Sequence, residues 1–131
     1  MSTADPTTFA LREIGQIAVP VADLDRAIAF YGDVLGMHFL FRAPPGLAFF
    51  DCGGIRLMLN VPEGGEDSAD GPVIYYRVAN LPAAVEALRA RGARFESDPQ
   101  LIARLPDHEL WMAFLEDPDG NLLGLMSEVR E

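Results

Sequence analysis

The chain has 131 residues, half of them hydrophobic and 23% charged, with 20 acidic side chains against 10 basic ones and a formal net charge of −10. That length fits one domain with a core of its own, and the acidic balance excludes nucleic acid as an expected partner, because phosphate backbones are met by a clustered basic face. No apolar run approaches the roughly 18 residues of a membrane span and no basic start followed by an apolar stretch marks a secretory signal, so a cytoplasmic protein with no membrane partner is expected.

Residues 1–10 are small, polar and Pro-containing, and read as a flexible lead-in to a single domain over residues 11–131. From Ile14 the pattern Ile-Gly-Gln-Ile-Ala-Val-Pro-Val predicts a strand, and Asp23 then offers a helix N-cap. Leu24, Ile28, Tyr31 and Leu35 recur at helical spacing up to Gly36, a residue suited to the left-handed position that ends a helix. Three strand-like segments follow, His38–Arg42, Ala48–Asp51 and Ile55–Val61, with Gly53-Gly54 predicting a tight hairpin between the last two. Residues 62–71 are acidic, Gly-rich and without a packing stripe, which suits a linker between module one (11–61) and module two (72–131).

The pattern then begins again. Val73–Val78 reads as a strand, and Asn80 as a second N-cap with Pro82 in the first turn. Leu81, Val85 and Leu88 form a buried stripe of a helix ending at Gly92. Phe95–Ser97, Leu110–Leu115 and Leu122–Val129 supply three more strands, the last two joined by the turn Asp117-Pro118-Asp119-Gly120-Asn121. Val21-Ala22-Asp23-Leu24 lies 57 residues before Val78-Ala79-Asn80-Leu81, and Leu57-Met58-Leu59 lies 66 before Leu123-Gly124-Leu125. A duplicated βαβββ unit explains both offsets.

Side chains alternate across a strand, so the apolar parity of each strand is assigned to the helix side. Ile17, Val19, Val21, Leu57, Leu59, Ile74, Tyr76, Val78, Leu123 and Leu125 take that side. The opposite face then carries Gln16, Arg56, Met58, Asn60, Tyr75, Arg77 and Met126, a mainly apolar set with a few polar groups, as in small-molecule pockets. Phe49 and either Trp111 or Met112 join that face. A Trp and a Tyr there would stack a planar ligand. Arg56 and Arg77 suit either sheet salt bridges or an anionic group on the ligand.

The run Val-x-Asp-Leu-x-x-Ala-x-x-Phe-Tyr-x-x-Val-Leu-Gly-Met at residues 21–37, the Asp117-Pro118-Asp119-Gly120-Asn121 turn and the paired units resemble the vicinal oxygen chelate superfamily of glyoxalases, bleomycin resistance proteins and extradiol dioxygenases. The resemblance implies an α+β fold in which two tandem βαβββ modules form a curved mixed sheet with a concave ligand-binding cup. Its enzymes hold a divalent metal in that cup through four strand positions, which fall here on Gln16, Met58, Val73 and Gly124. Of these only Gln16 carries an oxygen donor for such a cation, so neither a metal nor another cofactor is expected.

The remaining reactive groups favour plain roles. Cys52 is the one cysteine, in a Gly-rich turn, and of the two histidines His38 follows a helix while His108 sits in an acidic loop. No lysine is present to act as base or Schiff-base former, and no catalytic residue is assigned. The favoured function is sequestration of an aromatic or cationic small molecule, such as an antibiotic, by a metal-free homodimer like the bleomycin-binding relatives. The alternative is a lyase, isomerase or dioxygenase of the same superfamily.

Overall fold

Asp23 and Asn80 both start helices in the computed structural model, which describes residues 10–62 and 71–130. Each side chain accepts the amide hydrogen bond of the residue three positions on, Arg26 at 3.0 Å and Ala83 at 3.1 Å. The first helix, α1, runs Leu24–Ala29 and continues as a π-helical turn over Phe30–Val34 before Gly36, at φ +79°, ends it. The second, α2, runs Leu81–Ala90 and stops at Gly92, at φ +97°. The lead-in and most of the acidic linker lie outside the described residues.

Module one is a four-stranded sheet in the order β1-β4-β3-β2, made of β1 (Gln16–Pro20), β2 (His38–Ala43), β3 (Leu47–Cys52) and β4 (Ile55–Asn60). β1 runs parallel to β4, and the other pairs are antiparallel. Module two repeats this with β5 (Ile74–Arg77) parallel to β9 (Leu122–Val129), and β8 (Glu109–Glu116) antiparallel to β9. The register confirms the duplication: Ala18 lies opposite Met58, and the residues 57 and 66 positions further on, Tyr75 and Gly124, lie opposite each other.

The outer edge of module two departs from expectation. In place of one strand at Phe95–Ser97, β6 covers only Arg94–Phe95 and a separate β7 spans Gln100–Arg104, both paired with β8. Pro99 interrupts the edge, and a register shift between Leu101 and Ala103 leaves Ile102 exposed, so the apolar alternation that betrays a strand is lost there.

Alternation holds elsewhere. Val19, Leu57, Leu59, Leu115, Leu123 and Leu125 are buried with Ala27, Phe30 and Tyr31 of the first helix and Leu81, Val85 and Leu88 of α2 in one core. The Asp117–Asn121 turn fastens module two to module one. Buried Asp117 accepts from the Tyr31 hydroxyl at 2.9 Å and from the Asp119 and Asn121 amides, while the Asn121 side-chain amide donates to Asp117 and to the Pro20 carbonyl. Asp119 accepts from the Ala22 amide and from Arg26, both at 2.9 Å.

Candidate ligand-binding site

The face turned away from the helices is built from side chains of one parity on each strand. In module one, Gln16 donates from Nε2 to the Met58 sulfur at 3.6 Å, a weak bond between neighbouring strands. Phe49 stands opposite Met58 and Phe41 opposite Phe49, and the two rings stack at 4.6 Å between centroids with 28° between planes. Arg56 lies over the Phe49 ring, its guanidinium carbon 5.7 Å from the centroid. Asn60 closes the row opposite Leu47. Arg56 therefore makes an aromatic contact in place of the sheet salt bridge considered from the sequence.

In module two the centre of the face is Tyr75 across from Gly124, with Phe114 opposite Gly124 on the other side. Tyr75 meets Phe114 edge-on, with centroids 5.8 Å apart and planes at 79°. Its ring fills the space above Gly124: a Cβ there would lie 2.5 Å from the ring. Met112 stands opposite Met126 and completes the face, and Arg77 reaches toward Glu128 at 3.9 Å with its head mostly in solvent. Each module thus contributes an aromatic pair, Phe41 with Phe49 and Tyr75 with Phe114, set among methionines and arginines.

Trp111 belongs to the other face. It pairs with Ser127, packs against the core and donates from Nε1 to Glu109 at 3.2 Å, so it cannot stack the same guest as Tyr75. The open choice between Trp111 and Met112 resolves to Met112, because residues 111 and 112 alternate and Ala113 and Leu115 fix the helix-side parity. Phe114, which meets Tyr75, and Phe41 are the residues of this face that sequence reading missed; Phe41 is the harder one. It belongs to an edge strand exposed throughout most of its length, where no buried parity singles out one face.

The sheet edges β1 and β5 flank a small, partly open cavity of about 100 Å³, lined among others by Val19, Tyr31, Ile74 and Tyr76. Burial, with smaller contributions from Cys52 and Asp117, pushes the Tyr76 phenol far above its ordinary range, and its hydroxyl is buried without a hydrogen-bond partner among the described residues. Cys52 is also raised, by burial first and then by Asp51, which suits a protonated turn thiol. His108 is held through Nδ1 at 2.8 Å from Asp107 in the turn before β8, remote from both aromatic pairs in the sheet register.

Two crossed-over βαβββ sheets, each with its own helix and joined through the Asp117 turn, define a class of paired-module folds. Residues 13–125 match the model of the Glyoxalase/Bleomycin resistance protein/Dioxygenase superfamily, and the chain belongs to that superfamily. It is 28% identical over 124 residues to a glyoxylase-like domain-containing protein of Didymella fabae, covering 83% of this chain and 88% of that protein. Among solved structures it is similar to a superfamily member from Sphaerobacter thermophilus (TM-score 0.74, 22% identity, 90% of this chain and 98% of the other). A second is the lactoylglutathione lyase from Agrobacterium tumefaciens (TM-score 0.71, 22% identity, 90% and 95%). At that identity these two likenesses concern the fold.

The four positions that the resemblance assigns to metal ligands carry side chains that do not fit a divalent cation. Val73 has no donor atom, Met58 offers a soft thioether that already accepts from Gln16, and the Tyr75 ring occupies the space a side chain at position 124 would need. No group of three His, Cys, Asp or Glu side chains suited to a metal occurs among the described residues.

Proposed function

We propose that the concave face binds a planar small molecule, aromatic or cationic, without a metal at the four strand positions, and retains it chemically unchanged. The observation that carries this reading is the Tyr75 ring lying over Gly124. An aromatic surface stands where a ligand side chain would project, and Phe114, Met112 and Met126 extend that surface with polarizable groups. The Arg56–Phe49–Phe41 stack offers a second flat wall. The net charge of −10 favours a cationic guest at low salt. An antibiotic of that kind is the ligand class the reading favours.

A homodimer is part of the same proposal. Phe39, Leu40 and Phe41 on the edge strand β2 are exposed in series, an apolar edge that a second copy would cover. Light scattering should then give twice the chain mass, and a clean monomer at working concentration would remove the dimer from the account.

Calorimetric titration with cationic and polycyclic antibiotics tests binding. The expected result is at least one ligand held tighter than about 1 mM, a free energy beyond about −4 kcal/mol, with Tyr75→Ala weakening it at least tenfold. Zn, Ni, Mn or Fe in stoichiometric amount after purification without chelator, lost in Gln16→Ala, would instead support the enzymatic alternative.

A further inference from the structure

α2, with ten residues, spans about 15 Å, whereas β8 and β9, with eight residues each, span about 27 Å. The helix packs where Ala113, Leu115, Leu123 and Leu125 are buried, and the far end of the same sheet face, where Trp111 is half-buried and Val129 exposed, is covered only in part. That end carries Trp111 opposite Ser127 and Glu109 opposite Val129. In module one β3 and β4 are shorter, with six residues each.

A cavity of about 640 Å³ occupies the overhang. Its size lies within the range of roughly 300–1,000 Å³ usual for ligand sites. Leu81 and Pro82 from the first turn of α2 form one wall, Pro99 forms another, and Trp111 and Ser127 form the floor. Glu109 is the one ionisable side chain among the described residues that line it. One of its oxygens accepts from the indole Nε1 of Trp111 at 3.2 Å, so a negative charge sits beside the aromatic ring. The other accepts from Arg104, also at 3.2 Å, but that arginine side chain is 75% exposed and its pairing is screened by water.

We propose that this overhang is a second ligand site, separate from the concave face, that takes an organic cation with an aromatic or compact alkyl body. The body packs on Trp111, Val129 and the two prolines, and the cationic head replaces Arg104 at the Glu109 carboxylate. Trp111 and Met112 alternate across β8, so the two sites lie on opposite faces of one sheet.

Trp111 is the only tryptophan in the chain, so intrinsic fluorescence reads this site directly. The full chain is titrated with benzyltrimethylammonium, and with benzenesulfonate and benzyl alcohol as anionic and neutral comparators at equal ionic strength. The expected result is a saturable change with a Kd below about 1 mM for the cation and binding at least tenfold weaker for both comparators. Glu109→Gln, and Val129→Arg at the exposed rim, should each weaken the cation at least tenfold, while Tyr75→Ala on the opposite face leaves it within twofold. A response that does not saturate, equal or tighter binding of either comparator, or loss in Tyr75→Ala with Val129→Arg unaffected would overturn the proposal. So would a signal that tracks protein concentration, as self-association over the groove would give.

Discussion

Asp117 carries more of the structure than its place in a turn suggests. Four donors converge on its two oxygens, one of them the Tyr31 hydroxyl of the first helix, and both residues are buried. Tyr31→Phe removes one donor and keeps the ring, so urea unfolding should show a loss of about 1–3 kcal/mol. Asp117→Ala strands all four donors and should cost more than Tyr31→Phe. A Tyr31→Phe variant as stable as wild type would mean that the contact between modules is held elsewhere. The turn type at Asp117–Asn121 was legible from Asp, Pro, Gly and Asn in series. Its role as a clamp was not, because the partner Tyr31 is 86 residues away and no local pattern encodes that distance.

At the scale of elements, the duplicated register was readable because hydrophobic parity survives in β1, β4, β5 and β9. Ile17, Leu57, Tyr76 and Leu125 pack in or against the core, so alternation alone placed them correctly. Legibility failed where an edge strand buries neither face. Phe41 on β2 and the broken edge β6/β7 carry no period-two signal, and Trp111 against Met112 was settled only by the depth of the neighbouring β8 residues. The approach of Tyr75 to Gly124 belongs to this scale too, since two parallel strands set it. Gly124→Ala should destabilise the protein by on the order of 1 kcal/mol, because Tyr75 must leave Phe114 to make room. In a Tyr75→Ala background the same substitution should cost much less. A double-mutant cycle measures the coupling, and a value near zero would show that the ring does not occupy that space in solution.

For the whole molecule, two buried phenols set the response to alkali. Burial first, and then the Asp117 charge, hold Tyr31 protonated far above its ordinary value, and burial does the same for Tyr76. The unfolded chain releases these protons near pH 10, so above that pH the folded state binds more protons and stability falls as pH rises. This contribution is fully present below about pH 10 and is lost through the alkaline range. Tyr31→Phe should flatten the fall in unfolding free energy above that pH, and an unchanged slope in both Tyr31→Phe and Tyr76→Phe would assign the effect to other groups.

The central claim, a concave face that binds without a metal, is tested most directly by calorimetric titration of chelator-treated protein with cationic and polycyclic antibiotics, wild type beside Tyr75→Ala. At least one ligand should bind with a Kd below about 1 mM, unchanged by added divalent metal and weakened at least tenfold by the substitution. Binding that appears only when metal is restored, or no ligand held that tightly, would contradict it.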